Sequence, residues 1–344
     1  VAVYGILRTA VNYVTDQETG NSAADLPNAD KWKGAWKFQP DAYTSPNATA
    51  IRRLRFAADV FHELGAAPPP SGRHENARRL LQSIDRRSVR AQAPSRLREI
   101  AEANRMSWEF FVIAYAVNEL PSMRTTDIAR RVADMMRGGA LPDEKRTLGR
   151  DTQFELYVGA LFALCGFPVS AREPDLAIGV SGETLGVACK RLRSLNAAKL
   201  RERFNEAHFQ LTGTRPDRES EYSKLRVVRG RGLIAVNLDV YFEDVKELLD
   251  DDSLVNLFHE RAKPALECAS RFREDHAVLG MLFFGHASAW VFPSEAGQPD
   301  RLAHRMPMML FTSLDPTVER VVLRPTLESF LARAEAAISR LQQL

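Results

Sequence analysis

The apolar and polar positions of the chain follow two different patterns, and the change between them lies near residue 149. Between residues 48 and 139 the apolar residues return every three or four positions, which is the period of an amphipathic α-helix. Residues 107–120 are apolar on most sides, so we expect a buried helix that begins at Ser107 as its N-cap. The first 48 residues have no regular period and are predicted to form an irregular arm.

The second half contains short apolar runs that are typical of strands, after a predicted helix over residues 152–167. Gly182 separates two of these runs, which predicts a β-hairpin. The predicted strands are residues 168–172, 175–180, 184–191, 232–240, 277–285, 288–292 and 307–314, and further helices are predicted over residues 195–213, 253–272 and 326–344. This order predicts an α/β (α+β) domain with a mixed sheet over residues 149–344. Residues 1–148 are predicted to form an arm and an all-helical domain that regulates, oligomerises or binds a partner.

The composition limits the class of protein. With 45% hydrophobic and 26% charged residues, the chain has the make-up of a globular protein, and no apolar run approaches the roughly 20 residues of a membrane helix. The first residues lack the basic and apolar regions of a signal peptide. The three cysteines lie far apart and form neither a disulfide framework nor a CxxC zinc motif, which favours a reducing cytoplasm.

Positive charge is concentrated in one region of the chain. Residues 186–232 contain 12 lysines and arginines against 5 acidic residues. Such a surplus is typical of a surface that binds the phosphate backbone of nucleic acid, although it also occurs on a helix and a loop that face only solvent. The residues expected to contact nucleic acid are Arg191, Arg193, Arg215, Arg218, Lys224, Arg226, Arg229 and Arg231.

The predicted hairpin carries an acid and a base that can serve catalysis. Asp175 begins one strand and Lys190 lies near the end of the next, 15 residues later and across a glycine turn. We expect both side chains at the same end of the sheet. A carboxylate there can bind a divalent metal ion, and an ammonium group beside it can orient a water molecule and offset charge on a phosphate.

These residues resemble the motif of the PD-(D/E)xK nucleases, which have the restriction-endonuclease-like fold. The resemblance covers residues 150–292 and rests on a helix that ends in Gly-Phe, then Glu173-Pro174-Asp175, a hairpin, Ala188-Cys189-Lys190, a helix with Gln210 and an apolar strand. It implies a mixed sheet flanked by helices. It also implies Mg²⁺- or Mn²⁺-dependent hydrolysis of nucleic acid, DNA rather than RNA, such as serves bacterial restriction or anti-phage defence.

The resemblance also implies a role for single residues. Asp175 takes the place of the central metal ligand, and Lys190 takes the place of the lysine that positions the attacking water. Glu155 lies on the preceding helix, where many members have an accessory acid that can bind the metal. Gln210 lies on the following helix, where some members have a glutamine near the site. Ala188 occupies the position of a second acid and cannot bind a metal through its side chain.

Three explanations account for Ala188. A glutamate or aspartate was replaced to inactivate the protein, or another acid (Glu155 or Glu173) took over its role, or the chain kept a nuclease fold only to bind nucleic acid or a partner protein.

The other site residues also have purely structural alternatives. Glu155 is three residues after Thr152 and could complete a capping box, and Asp175 could be a turn residue. Lys190 could lie at a solvated strand end, and Gln210 could occupy an ordinary exposed position on its helix.

Other hydrolytic sites find no support in the sequence. The seven histidines show no HExxH spacing, and the chain has neither a G-x-S-x-G elbow nor a P-loop. His286 follows a predicted strand and could face a site, but a single histidine is more often structural.

Overall fold

A computed structural model describes most of the chain. The described residues are 35–36, 44–45, 47–84, 94–137, 148–170, 175–180, 182–193, 196–212, 231–239, 251–269, 277–291, 301–305, 308–312 and 323–342. No helix among them is long and apolar enough to pass through a membrane.

The helices are divided between the two halves of the chain. The first half contains α1 (Asn47–Glu63), α2 (Arg73–Gln82), α3 (Pro94–Glu119), a 3₁₀ turn (Pro121–Met123) and α4 (Ile128–Met135). The second half contains α5 (Leu148–Leu164), α6 (Ala197–Thr212), α7 (Asp251–Ala269) and α8 (Leu323–Gln342).

The strands form two sheets. They are β1 (Ala35–Trp36), β2 (Thr44–Ser45), β3 (Val169–Ser170), β4 (Leu176–Val180), β5 (Glu183–Arg191), β6 (Gly232–Asn237), β7 (Val278–Phe284), β8 (Ala287–Val291), β9 (Arg301–Arg305) and β10 (Met308–Thr312). Seven of them pair in the order β1-β10-β7-β6-β5-β4-β3, and β2, β9 and β8 form a second sheet. In the large sheet β5, β6 and β7 run parallel to one another, and the other neighbours are antiparallel. A mixed α/β architecture with a mixed sheet flanked by helices is therefore confirmed.

Glycines with positive φ angles mark the two turns that lead into and through the hairpin. After α5, Gly166 has a φ of 83°, and the following Phe167 N–H donates to the Phe162 carbonyl, as in a helix C-terminus closed by a glycine. Gly182 has a φ of 86° between β4 and β5, where a side chain would be strained. The predicted hairpin is thus present, with the turn at the predicted glycine.

The alternation along β5 places its side chains in two apolar clusters on opposite faces of the sheet. Val187 and Cys189 belong to the cluster that includes residues of α1–α5 and α8. Ala188 belongs to the other cluster, with residues of α6, α7, β6 and β7. The front helices therefore share one apolar core with the sheet, while the division of the chain into domains at residues 148 and 149 stays a prediction.

Several elements differ from the sequence-based expectation. The arm contributes β1 and β2, because its residues pair with β10 and β9 from the far end of the chain. β9 was not predicted. The buried helix α3 begins at Pro94, so Ser107 lies inside it and its hydroxyl donates to the Asn104 carbonyl instead of capping the helix. Likewise α5 begins at Leu148, so Thr152 is an interior residue and the capping-box interpretation of Glu155 is wrong.

Candidate functional site

Asp175 lies immediately before β4 and faces the neighbouring strand β5. Leu176 pairs with Val187, so the same antiparallel register places Asp175 opposite Ala188. Two donors to its carboxylate lie among the described residues. The backbone N–H of Cys189 lies 2.7 Å from Oδ2, and the side-chain Nε2 of Gln210 lies 3.1 Å from Oδ1. Asp175 is therefore held by both β5 and α6 rather than by a turn alone.

Lys190 brings a positive charge to the same carboxylate. Its Nζ lies 3.9 Å from Asp175 Oδ2, and the two side chains are only 12% and 14% exposed. Ion pairs that are shielded from water interact more strongly than those on an open surface. The structure therefore brings together Asp175 and Lys190, which the sequence pattern had placed at one end of the sheet, and Gln210, which only the resemblance had placed near them.

Glu155 reaches this site from α5 through a shared arginine. Arg131 on α4 donates from Nη2 to Glu155 Oε2 at 2.6 Å and from Nη1 to the backbone carbonyl of Asp175 at 3.2 Å. Sequence reasoning did not single out Arg131. It lies in an ordinary polar position of an amphipathic helix, and only the packing of α4 against α5 brings it to the site.

The two carboxylates influence each other. Burial and the negative charge of Asp175 raise the pKa of Glu155 to about 7, although Arg131 and Lys190 oppose the rise. A further positive charge between the two carboxylates, either a proton or a metal ion, would reduce their mutual repulsion. Perturbed acids in a partly enclosed place are common at functional sites.

The donor set suits a magnesium or manganese ion. Asp175 and Glu155 offer carboxylate oxygens, the ligands that Mg²⁺ prefers, and Mg²⁺ binds through one or two carboxylates with water completing its shell. Both carboxylates already have donors, namely Cys189, Gln210 and Arg131. A metal ion would thus use the remaining lone pairs or displace one of these donors.

Ala188 does not leave an open space beside Asp175. The residue has no exposed surface and packs in the apolar cluster with Phe204 and Ala207 of α6. A longer acidic side chain at this position would therefore have to turn out of the cluster or displace part of α6.

The expected nucleic-acid-binding residues are only partly described. Arg191 is largely buried and its Nη1 lies 3.6 Å from Asp151 Oδ1, whereas the more exposed Arg193 donates to Asp151 Oδ2 at 2.8 Å. Burial, followed by the charges of buried arginines nearby, lowers the pKa of Arg191. Arg231 immediately precedes β6, and its carbonyl accepts the Gly186 N–H. Glu173, Arg215, Arg218, Lys224, Arg226 and Arg229 lie outside the described residues.

A second polar cluster, which the sequence reasoning did not assemble, lies where α3 meets the carboxyl ends of β6 and β7. Among the described residues, Glu109, Asp239 and His286 form a group whose ligand atoms lie within 4.8 Å of one another, and all three are buried. Two signals were present in the sequence. Glu109 interrupts an otherwise apolar stretch of helix, and Asp239 is an acid within the apolar run predicted as the strand 232–240.

Buried charges surround this cluster. Arg105 on α3 forms ion pairs with Asp239 and with Glu102, and Glu102 also accepts a hydrogen bond from Arg150 at 2.8 Å. Burial alone would raise the pKa of Glu102, but the neighbouring guanidinium groups lower it to about 2. The pKa of Asp239 also lies far below its ordinary value, because Arg105 and His286 outweigh the effect of burial.

Three comparisons, with models of protein families, with curated proteins and with solved structures, found no match for this chain.

Proposed function

We propose that this chain has the restriction-endonuclease-like fold and hydrolyses phosphodiester bonds of nucleic acid in a metal-dependent reaction. The observation that carries the proposal is the meeting of Asp175, Lys190, Gln210 and Glu155 at one end of the β4–β5 hairpin. The order of elements supports it as well. Helix α5, strands β3, β4 and β5, helix α6 and the parallel strand β6 follow one another as the resemblance to PD-(D/E)xK nucleases implies.

The metal would be Mg²⁺ or Mn²⁺, held by Asp175 and Glu155. When bound, such an ion polarises a phosphate oxygen and lowers the pKa of a coordinated water molecule. Lys190 then places its ammonium group beside the reacting phosphate, where it offsets negative charge. Gln210 and the Cys189 N–H keep the Asp175 carboxylate in one orientation.

Glu155 is the acid that best explains how the site can work with an alanine at position 188. Its pKa responds to the charge of Asp175, so the two carboxylates lie within electrostatic reach of each other. The methyl group of Ala188, by contrast, is enclosed by apolar side chains. We infer that the second acid has moved from β5 to α5, and that Arg131 balances its charge when no metal is bound.

DNA is the proposed substrate rather than RNA, in keeping with the resemblance. Arg191, Arg193 and Arg231 are the described members of the basic set expected to contact it, and bacterial restriction or anti-phage defence is the setting that a cytoplasmic nuclease of this kind would serve. Cys165 and Cys189 are buried free thiols, which accords with a reducing compartment. The front helices would then bind a partner protein or a second copy of the chain.

A second candidate function is binding without cleavage. One observation favours it, because the carboxylate of Asp175 and that of Glu155 each already accept hydrogen bonds from the protein. A site in which internal donors satisfy the acids does not require a metal. In that case the chain would hold nucleic acid or a partner protein through the same surface.

A cleavage assay separates the two candidates. The unaltered protein and its Asp175→Asn and Lys190→Met variants are incubated with supercoiled plasmid, linear duplex, single-stranded DNA and RNA, with Mg²⁺ or Mn²⁺. We expect metal-dependent cleavage by the unaltered protein and a loss of at least a hundredfold in each variant, the size of effect seen when one charge-stabilising group is removed. Lys199→Met, which changes an exposed lysine on α6, is the matched control and keeps its activity.

The variants Ala188→Glu and Ala188→Gln test whether the missing acid silences the site. The two side chains have the same size, so only the charge differs between them. Cleavage by Ala188→Glu alone would show that the second acid belongs on β5 and that Glu155 does not replace it. If no variant cleaves while nucleic acid still binds with a strong dependence on salt, the binding function replaces the nuclease.

A further inference from the structure

One arginine from the first half of the chain reaches the site around Asp175. Arg131 lies on α4, whereas Asp175, Lys190 and Glu155 all come from the second half. The Arg131 side chain is only 10% exposed. Burying a guanidinium group is costly unless protein groups accept its hydrogen bonds, so the partners of Arg131 explain its place in the fold.

The two ends of the guanidinium group contact the two acids of the site in different ways. Nη2 donates to Oε2 of the Glu155 side chain at 2.6 Å, and Nη1 donates to the backbone carbonyl of Asp175 at 3.2 Å. A guanidinium group is planar and holds its donors in a rigid fork. Arg131 therefore fixes the Glu155 carboxylate relative to the backbone that carries Asp175.

These contacts leave other oxygen atoms of the two acids accessible to a cation. Within the part of the chain that the structure describes, Oε1 of Glu155 accepts no hydrogen bond, and this side chain is 22% exposed. Arg131 bonds the backbone of Asp175 and does not use its carboxylate. The arginine thus holds both acids without covering the oxygen that Glu155 would offer to a metal ion.

Helix α4 is itself held in place at its carboxyl end. Arg73, at the beginning of α2, donates from Nη1 to the Met135 carbonyl at 3.2 Å. A side chain at Gly149 would collide with the Arg137 carbonyl, so the beginning of α5 lies in close contact with the chain just after α4. Arg131 lies about one helical turn before Met135, so these contacts fix its backbone beside α5.

We propose that Arg131 is a positioning residue of the nuclease site, and that the helices of the first half supply it. The inference rests on the proposed function, because it concerns how Glu155 and Asp175 are held ready for a divalent cation. Loss of a group that orients a metal-binding side chain weakens metal affinity about 10- to 100-fold. The first half of the chain is then a part of the site, in addition to any partner that it binds.

The opposite effect would follow if Arg131 competed with the cation. Arg131 brings a positive charge to Glu155, and a charge that had to leave before a cation could bind would lower the affinity. The accessible Oε1 argues against this, because a cation can bind there while Arg131 keeps Oε2. Removing Arg131 should therefore weaken the binding of a cation and not strengthen it.

Cation affinity of the full chain tests this role. Binding of Mn²⁺ is measured by electron paramagnetic resonance, and binding of Mg²⁺ by calorimetry. We expect Arg131→Met to bind both ions about 10- to 100-fold more weakly than the unaltered chain. Arg130→Met is the matched control, because the neighbouring arginine of α4 is 70% exposed, and it should leave the affinity unchanged. Unchanged or tighter binding in Arg131→Met would overturn the proposal.

A readout without a metal ion separates this proposal from the nuclease proposal. The Cys189 N–H donates to Asp175 Oδ2, so its rate of hydrogen exchange reports how firmly Asp175 is held. Arg131→Met should speed exchange at Cys189 about 2- to 10-fold, the effect of losing one ordinary hydrogen bond. Exchange at Val236, inside the central strand β6, should keep its rate and shows that the sheet is intact.

The two readouts together show which proposal fails. If Cys189 responds but the unaltered chain binds neither ion, the nuclease proposal fails and Arg131 still positions Asp175. If exchange at Cys189 is the same in Arg131→Met and in the unaltered chain, Arg131 does not position Asp175 and this proposal fails, whatever the protein cleaves.

Arg131→Lys separates the shape of the side chain from its charge and keeps the test open if Arg131→Met does not fold. Lysine retains the positive charge but lacks the planar fork that reaches both partners. We expect this variant to fold and to bind Mn²⁺ about tenfold more weakly than the unaltered chain. Equal affinity in the two proteins would mean that charge alone matters, and would overturn the positioning role.

Discussion

The stability of this protein should fall as the pH rises through the range in which Glu155 ionises. The pKa of Glu155 is raised from an ordinary 4.5 to about 7 in the folded chain, first by burial and then by the charge of Asp175. Between these two values the folded state binds more protons than the unfolded state, so each increase in pH favours unfolding. The stabilisation is complete below about pH 4.5 and is lost by about pH 7.

The size of the effect follows from the two pKa values. Their difference of about 2.5 corresponds to roughly 3 kcal/mol, at about 1.4 kcal/mol for each pKa unit. Solvent screening removes little of this, since the Glu155 side chain is 22% exposed. We therefore expect the free energy of unfolding to fall by about 2–3 kcal/mol from this group alone between about pH 5 and pH 8.

Urea unfolding at the two pH values measures the effect, and Glu155→Gln isolates it. The glutamine cannot ionise, but its amide oxygen can still accept the hydrogen bond from Arg131. The difference in pH dependence between the two proteins cancels the contributions of groups that do not interact with Glu155, and what remains belongs to Glu155 together with its neighbour Asp175. Glu183→Gln, at an exposed position in β5, is the matched control and should retain the full pH dependence.

Equal pH dependence in the unaltered protein and in Glu155→Gln would refute this reasoning. A metal ion provides a further check. If Mg²⁺ or Mn²⁺ binds between Glu155 and Asp175, it favours the ionised carboxylates and should reduce the loss of stability at high pH. An unchanged loss in the presence of either ion would count against the metal site.

Three further substitutions test the framework of the two clusters. Gly232→Ala should destabilise the fold by about 2 kcal/mol or more in thermal unfolding, because the added methyl group would collide with the backbone of β5. Gly159→Ala is the control and should cost less, because only the side chains of Leu176 and Val169 lie near the added methyl group. Arg105→Met should cost about 3–5 kcal/mol in urea unfolding because it removes the guanidinium that two buried acids, Glu102 and Asp239, share. Arg130→Met, at an exposed ion pair, is the control and should cost at most about 1 kcal/mol. Asn196→Ala should cost about 1 kcal/mol, since its Oδ1 accepts the first backbone N–H groups of α6, and circular dichroism during heating would detect the change.

The hairpin and its chemistry could be predicted because both are local in sequence. Strand alternation, a glycine turn and two charged residues 15 positions apart suffice to place Asp175 and Lys190 at one end of a sheet. Gln210 could be placed near them only by the resemblance to a family. No local pattern states which face of a helix meets a given strand.

The contacts of Glu155 and the second cluster could not be predicted in the same way. Thr152 and Glu155 fit a capping box, but α5 begins one turn earlier and Glu155 pairs with Arg131, 24 residues before it. Glu109 and His286 are 177 positions apart in the sequence. Their meeting depends on how α3 packs against the ends of two strands, and neither residue carries a local signal of the other.

The pairing of β1 with β10 has a consequence for shortened forms of the protein. Trp36 pairs with Met308 and Ala35 with Met309, so a segment from the beginning of the chain covers the outer edge of an apolar strand. An uncovered apolar edge readily pairs with the same edge of another molecule. A shortened chain that begins at residue 47 would therefore retain its helices and both clusters but would expose β10, and we expect it to aggregate where the longer chain stays dispersed.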